Sequence, residues 1–282
     1  EQNNKINNQN QQNQEQRNKL QSQNTKLNDC INYAENIQSA ILPEKEQLEK
    51  YFNVFVLFKP KDVVSGDFYW FTEVKNEQIH KVFLAVVDCT GHGVPGAFMS
   101  MIGNRLFNEI ISEQAIYEPS KILERLNDNI IEALKQEHSD NTDGMDVCLI
   151  SVDQDSAEEK HVQFSGAKRP LYHYALKDRE VHTIKGDRFS IGGINKNKKQ
   201  KEFTTQNLYT QRGEMLYLTT DGITDQVNAN GKRFSSKRLL EFFNNYAEVN
   251  LEKQKLALDY RLEQFRKDTE QRDDIAVIGV KF

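Results

Sequence analysis

From residue 53 onward the apolar positions follow two periods. Short runs of β-branched and aromatic residues, Asn53 to Phe58 (NVFVLF), Asp67 to Val74 (DFYWFTEV) and His80 to Asp88 (HKVFLAVVD), are broken by polar or glycine-containing turns and predict strands. Further strands are predicted at Val147 to Val152, Lys160 to Phe164, Leu171 to Ala175, Glu180 to Ile184, Met215 to Thr220 and Ile275 to Phe282. Helical spacing marks Ala97 to Glu113 and Ser120 to Gln136, each introduced by a proline (Pro95, Pro119) suited to a first helical turn. In the second of these, Ile122, Leu123, Leu126, Ile130 and Leu134 share one face. Helices are also predicted at Ser236 to Tyr246 and Leu251 to Lys267. Strands arrive in hairpin-like runs and helices in pairs rather than in βαβ alternation. That order predicts an α+β fold with mostly antiparallel sheets, in one domain of about 230 residues after Pro43.

The first forty residues have a different period. Ile6, Asn13, Leu20, Leu27, Ala34 and Ile41 form a column spaced by seven, and Asn10, Arg17, Asn24, Ile31 and Gln38 form a second column offset by four. Two such columns are the seam of a parallel coiled coil, in which polar seam residues weaken association and fix register. The seam is apolar only from Leu20. A helix is therefore predicted over Lys19 to Leu42, stopped by Pro43, whereas residues 1 to 18 fit a disordered Asn/Gln-rich linker as well as a helix. Of residues 1 to 30, nine are Asn and eight are Gln, so 17 are carboxamides. The expected division is a helical, coiled-coil linker at 1 to 43 and a folded domain at 44 to 282.

Composition narrows the class. The chain has 282 residues, 37 Lys+Arg against 42 Asp+Glu, and a net charge of −5; without a basic face, nucleic acid is not an expected partner. Cys30, Cys89 and Cys148 are too few and too scattered for a disulfide framework or a zinc site, so a reducing, cytoplasmic setting is expected. The longest apolar run, Val82 to Val87, falls far short of the ~20 residues a membrane span needs. A soluble chain is expected, and the absence of an initial Met leaves room for an upstream sensor or anchor.

Candidate chemistry lies in acidic residues at strand ends. Asp67 follows Ser65-Gly66 at the start of a predicted strand, Asp88 ends one before the turn Thr90-Gly91-His92-Gly93, Asp221-Gly222 ends another, and Asp273-Asp274 precedes the last. Carboxylates held on a sheet rim repel one another unless cations lie between them, and hard oxygen donors suit Mg²⁺ or Mn²⁺. Each Asp, taken singly, also fits a turn or a helix cap. Spacing alone does not bring the four together.

The segments Pro60 to Tyr69 (PKDVVSGDFY), Val87 to Ala97 (VDCTGHGVPGA), Thr219 to Gly222 (TTDG) and Asp273 to Ile275 (DDI) resemble, in order and separation, the SpoIIE-type (RsbU-like) bacterial branch of the protein phosphatase 2C family of metal-dependent serine/threonine phosphatases. Asp143 to Asp146, Gly166-Ala167 before Pro170-Leu171-Tyr172, and Gly186-Asp187-Arg188 before Ile191-Gly192 support the match, which runs from about Ala34 to Phe282. The resemblance implies a four-layer αββα sandwich of two antiparallel sheets flanked by helices, with two Mg²⁺ or Mn²⁺ ions at one end. It implies Asp88 as the carboxylate bridging both ions, the carbonyl of Cys89 as the adjoining ligand, and Asp67, Asp221 and Asp273, or its neighbour Asp274, as further metal carboxylates.

Two such ions acidify a bridging water for in-line attack on phosphorus and neutralise the phosphate oxygens. Cys89 lacks the Cys-x5-Arg loop of a cysteine phosphatase. His92 fits either a proton donor to the leaving seryl oxygen or a residue that orders the glycine-rich turn. Eukaryotic relatives hold phosphate with an arginine near the first Asp, where this chain offers only Lys59 and Lys61. Lys168-Arg169 and the basic run Lys196 to Lys201 read as solvated loop charges in preference to docking groups. The implied function is hydrolysis of phosphoserine or phosphothreonine on a bacterial signalling protein, such as a STAS-type anti-sigma-factor antagonist. Control would come through a parallel homodimer formed by residues 19 to 42 and an upstream sensor domain. The alternative is a non-catalytic, phosphatase-like binding module.

Overall fold

A computed structural model describes residues 2–155, 159–193 and 201–282, with residues 3–9 described by their backbone only. The long helix α1 (Gln2–Ile41) and the short α2 (Lys45–Glu49) lead into β1 (Asn53–Lys59), β2 (Phe68–Lys75) and β3 (His80–Cys89). Helix α3 (Gly93–Asn108) continues into a π-helical turn (Glu109–Glu113), followed by α4 (Pro119–Ala133). Strands β4 (Gly144–Asp153), β5 (Glu159–Ala167), β6 (Leu171–Ala175), β7 (Glu180–Ile184), β8 (Ile191–Gly192), β9 (Gln206–Gln211) and β10 (Met215–Thr219) come next. The chain ends with α5 (Gly222–Asp225), α6 (Ser235–Tyr246), α7 (Leu251–Arg266) and β11 (Ile275–Lys281).

The strands form two sheets, ordered β1-β11-β10-β6-β7 and β2-β3-β4-β5-β9, with β8 paired to the start of β4. All the ladders between named strands are antiparallel. Successive side chains of a strand point to opposite faces, and β3 shows the result. Val82, Leu84 and Val86 pack between the sheets against Val54, Leu216, Leu218 and Ile278, whereas Phe83, Ala85 and Val87 face the helices α3 and α4 through Phe107, Ile122 and Leu126. On the far side Phe55, Leu57 and Tyr217 meet Leu239, Phe243 and Leu258 of α6 and α7. Three apolar layers between four layers of structure make the αββα sandwich that the sequence resemblance implied.

Most predicted elements appear with ends shifted by a few residues. Strand β9 (QNLYTQ) was not predicted, because a polar edge strand with only Thr210 buried carries little hydrophobic signal. Residues 2–41 form one helix, so the polar arm is helical beyond the Lys19 start expected for it. Its seam ends differently from the heptad reading. Leu20 and Leu27 are exposed, but Gln38, the last residue of the second column, is buried against the folded domain. Gln38 Nε2 donates to the Ser65 carbonyl (2.6 Å) and to Ser100 Oγ (2.8 Å), while its Oε1 accepts from the Ser65 amide (2.9 Å). The Ile6 position lies outside the side chains described. No helix among the described residues is long and apolar enough to cross a membrane.

Candidate active site

Sheet pairing gathers the acidic strand ends. Phe68 pairs with Val87 across β2 and β3, which sets Asp67 beside Asp88. Asp88 pairs with Asp146 across β3 and β4, and Asp273 enters β11 next to β10, the strand that Asp221 follows. The amide of Asp221 donates to Asp88 Oδ2 (3.4 Å) across the gap between the sheets. Asp67, Asp88, Asp221 and Asp273 thus stand at one end of the sandwich.

Their electrostatics bear the marks of that crowding. Burial first, and then the charge of Asp88, push Asp67 well above the usual carboxylate range; burial and Asp221 do the same to Asp88. Burial chiefly also raises Asp273. Asp67 Oδ2 is buried with no hydrogen-bond partner. Like charges opposed across a ladder, as Asp88 and Asp146 are, destabilise a sheet unless a cation intervenes, and Arg169 is that cation. Its guanidinium lies 3.0 Å from Asp146, 3.1 Å from Asp221 and 3.6 Å from Asp88. Burial opposes the Arg169 charge, but Asp221, Asp88 and Asp146 outweigh it and hold the group protonated. The reading of Arg169 as a solvated loop charge is therefore corrected: only 14% of its side chain is exposed.

The pair Asp273-Asp274 divides its work. Both oxygens of the buried Asp274 accept backbone amides, from Lys61 and Gly66 (2.7 Å each), and so hold the loop that carries Asp67. Asp273 is half-buried, and its carboxylate accepts only the amide of Asp274 (2.9 Å) among the hydrogen bonds described. The same loop is fastened by glycines: a Cβ on Gly66 would lie 2.2 Å from the carbonyl oxygen of Gly91, and one on Gly96 would lie 2.7 Å from Gly66 Cα. No side chain fits between the Ser-Gly-Asp and Gly-His-Gly turns.

His92 precedes α3 at the rim, with Nδ1 2.7 Å from Asp62 Oδ2 and Nε2 2.9 Å from Lys61 Nζ. Lys59, one of the two lysines expected near the phosphate, is committed elsewhere, to Asp259 (2.5 Å) and Glu263 (2.6 Å) of α7. Cys89 is buried, and burial followed by Asp67 and Asp88 pushes its thiol far up, which disfavours a thiolate nucleophile and leaves its backbone carbonyl as the available group. Of the basic run Lys196 to Lys201, residues 196–200 lie outside those described; Lys201 is turned inward, its Nζ donating to the carbonyls of Ser190, Gly192 and Gly193.

Sequence reasoning did not assign Asp146 and Arg169 to the site. Asp146 earns its place only through cross-strand register with Asp88. Among the described residues no three Asp, Glu, His or Cys side chains already form a ligand cluster. The donor chemistry nevertheless fits a hard divalent cation: an all-oxygen rim, an orphaned buried carboxylate oxygen on Asp67, and a guanidinium holding three of the carboxylates.

Comparisons with known proteins bear on the fold and the family. The family model Stage II sporulation protein E (SpoIIE) matches residues 79–282, more than half the chain. The phosphoserine phosphatase RsbU of Bacillus subtilis (strain 168) is 26% identical over 215 residues, and the match spans 75% of this chain but only 58% of that relative. The SiaA-PP2C domain of Pseudomonas aeruginosa superposes with a TM-score of 0.79 at 32% identity, covering 92% of this chain and 98% of that one. The PP2C phosphatase domain of SpoIIE from Bacillus subtilis, with a fragment of its regulatory domain, shares the fold at a TM-score of 0.63 and 17% identity, covering 82% of this chain and 63% of that one. With its acidic strand ends meeting at one end of an αββα sandwich, the chain belongs to the SpoIIE family of PP2C-type serine/threonine phosphatases.

Proposed function

We propose that this chain hydrolyses phosphoserine or phosphothreonine on a bacterial signalling protein, with Mg²⁺ or Mn²⁺ as cofactor, under control of its N-terminal helix. The observation that carries this reading is the meeting of Asp67, Asp88, Asp221 and Asp273, from four separated motifs, at one rim of the sandwich, where Arg169 engages Asp88 and Asp221. Asp67, Asp88, Asp221, Asp273 and the Cys89 carbonyl would hold the metal, which supplies charge neutralisation and an acidified water. Asp274 positions the loop in preference to ligating.

The chain's own groups supply the rest. Arg169 presents a planar fork suited to two phosphate oxygens at once, and its Nε is buried without an acceptor, one donor more than its carboxylates use. Asp62 Oδ2 accepts a hydrogen bond from His92 Nδ1–H and fixes the ring; Lys61 and His92 Nε2 then form the part of the rim from which a proton reaches the leaving seryl oxygen. The substrate class, a phosphorylated anti-sigma-factor antagonist of the STAS type, is supported by the likeness to RsbU. The exposed Leu20 and Leu27 support a parallel homodimer through residues 19 to 42, below an upstream sensor. Three free thiols fit a cytoplasmic setting.

Mn²⁺-dependent hydrolysis of an aryl phosphate by the purified chain tests the reading. Asp88→Ala and Asp221→Ala are each expected to cost about 10²-fold or more in kcat/KM. The grip of Arg169 on Asp88 and Asp221 favours a second reading, a non-catalytic binding module; no turnover with Mn²⁺ present would select it, and turnover indifferent to metal and to both substitutions would overturn the metal-site reading.

A further inference from the structure

A cleft of about 650 Å³ lies beside the carboxylate cluster and shares Arg169 with it. Its walls are the β5–β6 turn, the β7–β8 loop and the start of α6, with Tyr172 and Leu240 as apolar lining. Five of the lining residues are cationic, Lys168, Arg169, Lys185, Arg188 and Lys237, against one carboxylate, Asp187. That carboxylate is occupied: its Oδ2 accepts from the amide (2.8 Å) and hydroxyl (3.0 Å) of Thr204. Lys168 and Arg169 lean toward Asp146. Lys185, Arg188 and Lys237 are exposed, and no ion pair engages them among the described residues. In a chain of net charge −5 this is a local reversal of sign.

The cleft is also preformed. Lys168 donates its amide to the Asp187 carbonyl and Asp187 donates to the Gly166 carbonyl (2.7 Å each), so the two loops are stitched backbone to backbone. A Cβ on Gly186 would lie 2.6 Å from the carbonyl oxygens of both Arg169 and Gly166, which makes their approach possible only with glycine.

We infer that this cleft docks an acidic stretch of the phosphoprotein substrate, with Lys185, Arg188 and Lys237 pairing with carboxylates next to the phosphoserine held at Arg169. The inference rests on the phosphatase reading and adds to it the charge character of the substrate. A concave site of this volume suits a few side chains of a peptide rather than a membrane surface or a duplex, and the overall negative charge repels extended polyanions.

The test is fluorescence anisotropy of a labelled phosphoserine peptide flanked by Asp and Glu, against the same peptide with Asn and Gln, in EDTA so that binding is read without turnover. The acidic peptide is expected to bind about tenfold tighter, a preference that falls between about 50 and 300 mM NaCl and disappears in the K185E/R188E/K237E variant. Equal affinity for both peptides, a preference retained by that variant, or displacement of the acidic peptide by anionic vesicles or duplex DNA would overturn the inference. An acidic preference in a chain that turns over no aryl phosphate would retain the docking cleft and overturn the phosphatase reading.

Discussion

Asp67 combines deep burial, an unpartnered oxygen and a pKa raised by burial and by Asp88. A carboxyl whose folded pKa lies above its unfolded value, near 3.9, burdens the fold only where it ionises. That burden is absent below the unfolded pKa and grows as pH rises toward the folded one. Asp67→Asn is therefore expected to raise the melting temperature of the cation-free chain by about 2–4 °C at pH 7, with the difference closing toward pH 4. An unchanged gap across that range in EDTA, read by calorimetry, would refute the account. The same substitution is expected to abolish Mn²⁺-dependent turnover, the usual opposition between a stable site and a working one. Asp67, Asp88, Asp221 and Asp273 were legible as candidates because each lies at a strand end, next to a glycine or second Asp or, for Asp88, just ahead of the Gly91-His92-Gly93 turn. Arg169 was not, since a Lys-Arg pair before a proline reads the same whether its guanidinium points to water or into a cluster of carboxylates.

From Lys19 onward α1 was legible in its heptad columns and in Pro43, while the polar stretch before it reads equally well as a linker; the last turn of α1 belongs to the folded domain. Gln38 grips both backbone groups of Ser65, two residues before Asp67, and Asn104 of α3 donates to the Ile41 carbonyl (3.2 Å). Any shift of α1 thus bears on the loop that presents a candidate metal ligand. Gln38→Ala strands the buried Ser65 amide and carbonyl, at a cost of about 1–3 kcal/mol. The expected readings are a melting temperature lower by about 3–8 °C and a higher Mn²⁺ concentration at half-maximal activity. Gln38→Glu, which still accepts from Ser65 but no longer donates, should fall between. If both variants titrate with Mn²⁺ as the wild type does, the helix does not act through this clamp. A seam pattern could not reveal the clamp, because a polar residue at a heptad position is equally a register device in a coiled coil and a buried bridge to another surface.

For the assembled molecule, two measurements separate association from metal binding. Leu20→Asp with Leu27→Asp is expected to convert a dimer to a monomer in sedimentation while leaving the sandwich melting intact; an unchanged oligomeric state would refute the seam. Adding Mn²⁺ at about 100 times its dissociation constant should stabilise the wild type by about 2.7 kcal/mol, and Asp88→Ala should lose most of that gain. The α+β class with antiparallel sheets and the acidic strand ends could be read from the amino-acid order, because strand period, turn glycines and motif spacing are local properties of the chain; the αββα layering followed only from the family resemblance. Which carboxylates face each other, that Asp274 pins a loop while Asp273 stays available, that Arg169 closes the cluster and lines a basic cleft, and that Gln38 leaves the seam are all products of sheet register and layer packing. Those contacts join residues far apart in the chain, and only the packed fold sets the distances on which their electrostatics depend.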